Sequence, residues 1–161
     1  MIVAAKDFSD AKHHGRGTAV AQELPKLYEQ PQLFFRPEIA EEAWIEIPLE
    51  VKRKEPLRLL LNATCAPDYG RYQAFLDGVP VGEPMDFYAA EITSKEFPLL
   101  DLWPEPGKHL LRLEYAGKNK LSEGMSLGLE SVRLRERRPR VEQYGHDKDK
   151  DWRLTPKLLY K

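Results

Sequence analysis

The side chains able to do chemistry stand at spacings that fit neither a metal site nor an activated nucleophile. Cys65 is the single cysteine, which excludes an internal disulfide and a zinc site built on several thiolates. No CxxC motif surrounds it, so we expect a small buried residue. His13 and His14 are adjacent and have no third ligand at a familiar spacing. We expect solvated loop histidines, and we predict no metal site and no cofactor.

Carboxylates are abundant, with 26 aspartates and glutamates. A glycosidase needs two carboxyl groups across a cleft, and four acids are available for such a pair, namely Glu46, Asp68, Asp86 and Glu114. In a chain with so many acids, their presence alone identifies no cleft. The sequence contains no GxSxG, HExxH, glycine-rich phosphate loop or Ser/His/Asp signature. We therefore predict that the chain is not an enzyme.

The charge balance argues against nucleic acid and membrane partners. Lysine and arginine number 25 against 26 acids, for a formal net charge of -1, so no overall field attracts polyanions. The basic cluster over 135–140 lacks interleaved aromatic residues and precedes a run containing acids, which favours a solvated linker. No apolar run approaches the roughly 20 residues that cross a bilayer, and the N-terminal residues lack the long apolar region of a signal peptide.

The elements that would position any site are predicted to be short β-strands. The segment 43–51 alternates with period two, and Pro48 within it lacks an amide donor, so this strand should be an edge or lie near a bulge. The Asp77-Gly78 pair inside 72–82 predicts a β-hairpin. The other predicted strands are 1–8, 32–35, 57–64, 97–103, 109–115 and 127–134.

This series of strands, with turns between them, predicts an all-β fold, an antiparallel β-sandwich of the jelly-roll or immunoglobulin kind. At 161 residues the chain is about one domain long. We place that domain at 1–136 and a charged linker or tail at 137–161, where residues 152–160 would pack back or contact a partner. The segment 9–25 has no clean period and is expected to form loops.

Four segments taken together resemble a known module. They are DYG (68–70), YQAFLDGVPVGEPMDFY (72–88), PGKHLLRLEYAGKN (106–119) and GLESVRL (128–134). In order and spacing they resemble the galactose-binding-like superfamily that includes family 6 and family 35 carbohydrate-binding modules, which are often appended to secreted bacterial glycoside hydrolases. VAAKDF (3–8) and AWIEIPLEV (43–51) are similar to early strands of those modules, so the resemblance covers about residues 1–136.

The resemblance implies a non-catalytic accessory module that binds carbohydrate weakly through loops at one edge of the sandwich. It also implies an extracellular or periplasmic location as part of a larger exported protein, although a cytoplasmic location stays open. The alternative is a structural or protein-interaction module without glycan affinity, in which 152–160 docks on a neighbouring domain or subunit.

The resembling modules usually hold a structural calcium ion between carboxylates of the first strand and an acid of the closing strand. The matching first-strand residues here are Ala4 and Lys6, while Glu130 matches the closing acid. A calcium site needs several oxygen ligands, so we expect the ion to be absent. We predict that Lys6 approaches Glu130 and partly replaces the charge of the ion.

Loops at one edge of such a sandwich would supply an aromatic face and polar groups for a sugar. The resemblance directs attention to the 68–71 turn and the 117–120 loop, and an asparagine late in the resembling modules matches Asn119 by order. The candidate ligand-binding residues are Asp68, Tyr69, Arg71, Asp86, Tyr88, Trp103, Lys118 and Asn119.

Each of these candidates also has a structural interpretation. Tyr69 could pack over its loop, and Asn119 could adopt a left-handed turn conformation. Asp86 and Tyr88 could serve a turn or a strand end. Trp103 is preferred over Trp44 as a platform because it abuts the 104–107 turn, whereas a buried tryptophan is the usual case.

Overall fold

The computed structural model describes residues 3–5 and 8–137, and nearly all of its regular structure is β-strand. A short 3-10 helix, Ala40–Glu42, precedes the fifth strand. The strands are β1 (Val3–Ala5), β2 (Lys12–His14), β3 (Thr18–Gln22), β4 (Gln32–Arg36), β5 (Trp44–Val51), β6 (Leu57–Cys65), β7 (Arg71–Leu76), β8 (Val79–Asp86), β9 (Thr93–Leu102), β10 (Gly107–Tyr115) and β11 (Leu127–Glu136).

These strands form two antiparallel sheets that face each other, which confirms the predicted β-sandwich. The first sheet has the order β3-β4-β11-β6-β9, with β1 also paired to β11. The second has the order β2-β5-β10-β7-β8. No helix in the described part of the chain is long and apolar enough to cross a membrane.

The core lies between the sheets and is filled from strands that alternate in and out. In β5 the buried side chains are Ile45, Ile47, Leu49 and Val51, as predicted. Strand β2 pairs with Trp44 to Glu46 of β5, so among the described strands the one paired with β5 at Pro48 is β10. The missing amide of Pro48 thus falls where β5 is locally an edge, as that proline predicts.

A bulge in β11 sets the direction of its inward side chains. The register against β6 shifts between Leu129 and Ser131, and an inserted residue of this kind changes which side chains face inward. Leu127 and Leu129 before the bulge are buried, and so are Val132 and Leu134 after it. One strand can therefore contribute to the core on both sides of its irregularity.

The Asp77-Gly78 hairpin is confirmed. Asp77 has φ 50° and Gly78 has φ 82°, the left-handed pair that a two-residue hairpin turn requires. Strands β7 and β8 pair on either side of the turn, with Leu76 opposite Val79.

The prediction of loops over 9–25 is wrong, because β2 and β3 lie there. Both are edge strands with mostly exposed side chains, so neither has the alternation that reveals a half-buried strand. His13 and His14 therefore sit on a strand. The predicted tail over 137–161 falls, beyond Arg137, outside the described residues.

The sandwich has two ends, the Asp86 end and the Trp103 end. At the Asp86 end, β6, β8 and β10 finish and β7 begins; at the Trp103 end, β6 begins and β9 finishes. Strand β6 has nine residues, so the two ends are separated by about 30 Å at roughly 3.3 Å per residue.

Candidate functional site

Three segments converge at the Asp86 end through backbone hydrogen bonds. The amide of Arg71 donates to the carbonyl of Gly117 (2.8 Å), and the amide of Ala116 donates to the carbonyl of Arg71 (2.8 Å). The amide of Phe87 donates to the carbonyl of Gly70 (3.1 Å). The turn over 66–71, the end of β8 and the loop over 116–126 thus form one surface.

Asp86 joins side chains from two of these segments. Its Oδ2 accepts a hydrogen bond from Nδ2 of Asn119 (2.8 Å) and lies 3.4 Å from the guanidinium of Arg71. Its Oδ1 accepts from the backbone amide of Tyr88 (3.0 Å). Four predicted site residues are therefore brought together around one carboxylate.

The charge of Asp86 is stabilised by its surroundings. Partial burial acts against the charged form, but the hydrogen bonds from Asn119 and from the Tyr88 amide, together with Arg71, hold the pKa of Asp86 below its ordinary value. Asp86 is consequently ionised at neutral pH. The Arg71 side chain is 46% exposed, so part of its fork of N–H donors faces solvent.

Asn119 is held in one orientation by both ends of its amide. Its Oδ1 accepts from the backbone amide of Leu121 (3.0 Å), while Nδ2 donates to Asp86. Among the described residues, the non-glycine residues with positive φ are Arg16 and Asp77, so the left-handed alternative for Asn119 does not hold. Lys118, beside it, is exposed, as is Asp68 across the surface.

Tyr69 does not present a face to solvent, which corrects its assignment as a sugar platform. It is 4% exposed and its ring packs against Phe34, with 6.2 Å between centroids. Burial raises the pKa of Tyr69 to about 12, although a hydrogen bond from Gln32 acts in the opposite direction. Tyr69 therefore supports the 66–71 turn, the structural interpretation considered from the sequence.

Ser122 is a site residue that the sequence did not reveal. It is buried, and its hydroxyl donates to the carbonyl of Tyr69 (2.6 Å), which ties the 116–126 loop to the 66–71 turn. A serine within a polar loop carries no pattern that distinguishes it from its exposed neighbours, so no signal in the sequence could have identified it.

Trp103 lies at the other end of the sandwich, so it cannot share a site with Asp86. It is 51% exposed and borders a cavity of about 150 Å³ beside Pro56, Leu57 and Arg137. This corrects the prediction that Trp103 lies with the other candidates. The error arose because strand order and length, not proximity in sequence, decide which end a loop occupies.

Trp44 has both neighbouring strands packed onto its ring. On β2, His14 stacks with it at 5.7 Å between centroids and 12° between planes; on β10, the guanidinium of Arg112 lies 4.3 Å from its ring centroid. Strands β2 and β10 flank β5 on opposite sides. The ring is therefore occupied by the protein itself and offers no free face to a sugar.

Glu130, which matches the closing acid of the expected calcium position, is engaged by other groups of the protein. Glu130 is 9% exposed and accepts hydrogen bonds from the hydroxyl of Ser131 and from Nδ2 of Asn62 (3.4 Å). Arg133 lies 3.8 Å away and supplies a positive charge, which disfavours a divalent cation at the same carboxylate. Lys6 lies outside the described residues, so its contact with Glu130 stays a prediction.

No protein-family model and no curated protein sequence matches the chain. Among the residues that the structure describes, no cluster of three or more histidines, cysteines or acids could hold a metal ion. Information on relatives therefore comes from solved structures alone.

Several solved structures share the fold. A Paenibacillus xanthan lyase matches 78% of this chain with 24% identity and a TM-score of 0.69, and the chain spans 12% of that enzyme. A family 35 carbohydrate-binding module from Clostridium thermocellum matches 84% with 11% identity and a TM-score of 0.54. The carbohydrate-binding module CBM36, solved with calcium and xylotriose, matches 83% with 10% identity and a TM-score of 0.51.

The matched structures differ in how much of their own length this chain covers. The chain spans 98% of each of the two carbohydrate-binding modules but 12% of the xanthan lyase. Its β-sandwich is thus the fold of a carbohydrate-binding module, as the sequence resemblance indicated.

Proposed function

We propose that this chain is a non-catalytic accessory module that binds carbohydrate weakly through the loops at the Asp86 end. The observation that carries the proposal is the Asp86 carboxylate, which holds Arg71 and Asn119, two groups from separate segments, in fixed positions. A sugar hydroxyl both donates and accepts hydrogen bonds, so a surface that combines a carboxylate, a guanidinium and an amide suits it.

Preorganisation supports the proposal further. Ordering a loop on binding costs free energy, and here the loops are already ordered by backbone hydrogen bonds and by Ser122. The side chains at this end are accessible, with Asp68, Arg71 and Lys118 exposed and Tyr88 half-buried. Exposed side chains of this kind can reach the hydroxyl groups of a sugar without rearrangement of the fold.

The fold of the matched modules gives the proposal its context. We expect the chain to serve an enzyme or a larger exported protein outside the cell or in the periplasm, by holding it near a polysaccharide. The chain spans 12% of the xanthan lyase, and the proposal includes no activity of that enzyme.

The test is calorimetric titration of the full chain with a panel of plant, algal and bacterial oligosaccharides. Arg71→Ala should weaken binding about tenfold or more, since a hydrogen bond from a charged donor contributes about 1.5–3 kcal/mol. Arg58→Ala is the matched control, because Arg58 is similarly exposed and pairs with Asp101 at the Trp103 end. Absence of binding to the whole panel, or equal affinity of Arg71→Ala and the native chain, would overturn the proposal.

A second candidate function is a structural or protein-interaction module. The exposed indole of Trp103 favours it, because large exposed aromatic groups are enriched at protein interfaces. Removal of residues 141–161 discriminates between the two functions. A change in oligomeric state or a loss of stability, combined with no glycan binding by the full chain, would favour this second function.

A further inference from the structure

A lateral groove of about 540 Å³ opens between the two sheets, along the edge formed by β2 and β3. Its walls include Phe8, Ala11, His13, Ala19, Ala21 and Leu33. The volume falls within the range of roughly 300–1,000 Å³ that small-ligand sites occupy. None of the residues predicted from the sequence as site residues contributes to it.

Small side chains on β3 create this groove. Ala19 pairs with Phe35 and Ala21 pairs with Leu33, and paired residues of adjacent strands point to the same side of a sheet. Phe35 and Leu33 are buried in the core. The inner face of the first sheet thus continues onto β3 with alanines, which leave space where larger residues would fill the edge.

The opposite wall is short because β2 is short. Strand β2 has three residues, and His13 lies opposite Ile45 of β5, on the inward side. The His13 ring packs against Phe35 at 5.7 Å between centroids. The groove therefore has an imidazole at one wall and remains open to solvent along the edge.

The part of the groove that the structure describes is lined without acidic residues, lysine or arginine, although such residues make up 32% of the chain. Phe8 supplies an aromatic ring, and the amide of Gln30 and the imidazole of His13 supply polar groups. The amide of Gln32 is engaged elsewhere, with Thr64 (2.6 Å) and Gln22 (2.7 Å).

We propose that the lateral groove is a second ligand site, which binds a neutral sugar residue of a polysaccharide. A pyranose has an apolar face for Phe8 and the alanines, and hydroxyl groups for Gln30 and His13. A uronic acid is disfavoured, because none of the described lining residues is a lysine or arginine that would pair with its carboxylate. The inference rests on the proposed function, carbohydrate binding, and adds a site and a substrate class to it.

The groove is separate from the Asp86 end. Strand β2 borders the groove and β8 ends at Asp86, and these are the opposite edge strands of the second sheet. Four strand spacings of about 4.8 Å separate them, or about 19 Å across the sheet. One sugar residue cannot contact both sites, so the two sites titrate independently with short ligands.

A pair of variants on one strand tests the inference. Ala21→Phe fills the groove, whereas Val20→Phe adds the same side chain to the outer face of β3, where Val20 is exposed. Each variant and the native full chain are titrated calorimetrically with neutral xylo-, manno-, cello- and galacto-oligosaccharides and with oligogalacturonate. We expect the native chain to bind short neutral oligosaccharides at two sites, and Ala21→Phe to weaken binding at the groove at least tenfold while the Asp86 end keeps its affinity. Val20→Phe should leave both sites unchanged.

A measurement on the native chain tests the inference even if the Ala21→Phe variant fails to fold. The backbone amide resonances of Ala19, Ala21 and His13 should shift in NMR titrations with the neutral ligand and stay in place with oligogalacturonate. Unshifted resonances at saturating neutral ligand would overturn the inference. Stronger binding of oligogalacturonate in the groove would overturn it as well.

The arms also separate the two proposals. If Arg71→Ala abolishes all binding and Ala21→Phe changes neither the affinity nor the number of sites, the groove is not a site and the proposed function stands. If Ala21→Phe abolishes all binding and Arg71→Ala changes neither, the groove stands and the Asp86 end is not the binding surface. If no carbohydrate binds the native chain, both proposals fail.

Discussion

His109 and Asp77 are joined by a hydrogen bond of 2.6 Å between Nδ1 and Oδ2. The other ring nitrogen, Nε2, lies 2.6 Å from the carbonyl oxygen of Glu105. A carboxylate and a carbonyl only accept hydrogen bonds, so both ring nitrogens must carry protons when both bonds form. The hydrogen bond to Asp77, aided by the one to Glu105, accordingly raises the pKa of His109.

The pair predicts a stability that falls as the solution becomes alkaline. Because the pKa of His109 is raised in the folded chain, its contribution is complete below the ordinary value of 6.5 and is lost as pH rises through the folded pKa. Burial opposes the charge of Asp77, but the bonds from His109 and the Leu110 amide lower its pKa, so its contribution is lost only as pH falls below the ordinary 3.8. The pair therefore stabilises the fold most between these two values.

Asp77→Asn isolates this effect. Asparagine tolerates the positive φ of the turn, and its amide oxygen can still accept from the Leu110 amide (2.8 Å). Urea unfolding should be measured at about pH 5.5 and about pH 9. Between these values the free energy of unfolding should fall by about 0.5–1 kcal/mol more in the native chain than in the variant, a small difference because Asp77 is partly exposed. Equal pH dependence of the two unfolding free energies would refute the prediction.

Gly17 is predicted to be far less replaceable than Gly78. Both have positive φ, but an added Cβ at Gly17 would lie 1.9 Å from the carbonyl oxygen of Arg36, while at Gly78 nothing lies within 4 Å. Gly78→Ala should cost about 1–2 kcal/mol from backbone conformation alone. Gly17→Ala should cost at least about 2 kcal/mol more, because the β2–β3 connection must move. Similar unfolding midpoints in guanidinium chloride for the two variants would contradict this.

The parts of the fold that were predicted correctly have local causes. Period-two burial in β5 and the left-handed turn at Asp77 follow from the residues themselves, so the sequence reveals them. Strands β2 and β3 could not be found in this way. They exist because β5 and β4 offer edges to pair with, and His13 and His14 become strand residues only through that long-range pairing.

Sequence reasoning anticipated some of the side-chain proximity at the candidate site for the same reason. Arg71, Asp86 and Asn119 flank predicted strands or turns, and antiparallel order brings those ends together. Whether a rim aromatic turns inward depends on the space beneath it. Tyr69 fills such a space beside Phe34. Trp103 follows the ten-residue strand β9 and therefore lies at the other end of the sandwich.

Arg112 is predicted to be important for stability and not for ligand binding. It donates to Glu46 through Nε (2.7 Å) and stacks on Trp44 at 4.3 Å. Arg112→Lys should cost about 1–2 kcal/mol, because lysine cannot form the planar fork or the stack.

Arg58→Lys is the control: Arg58 makes a bidentate pair with Asp101 and does not lie over an aromatic ring in the described part of the chain. The surroundings of the two arginines also differ in that Arg112 pairs with Glu114 and Asp101 pairs with Arg137.

The expected difference between those variants is about 0.5–1 kcal/mol in the free energy of unfolding, measured by urea denaturation. The affinity for any bound oligosaccharide should be the same in Trp44→Leu as in the native chain, since both faces of that ring are already covered. A tenfold loss of affinity in Trp44→Leu, in a variant that remains folded, would show that the outer face of the second sheet binds ligand after all.

Acidification should weaken the side-chain contacts that Asp86 makes at its end of the sandwich. Burial opposes ionisation, but Asn119, the Tyr88 amide and Arg71 hold the pKa of Asp86 below the ordinary 3.8. Its stabilising contribution is therefore complete above that value and is lost as pH falls through the folded pKa. NMR titration of the Asp86 carboxyl carbon should give a midpoint below 3.8, and Arg71→Ala should move that midpoint upward.

Asp86→Asn would turn an amide group toward two donors and should cost about 1–2 kcal/mol in the free energy of unfolding at neutral pH. That cost should shrink toward zero in strong acid, where the native carboxyl is itself protonated; a cost that stays constant with pH would mean that the charge of Asp86 does not hold this surface together.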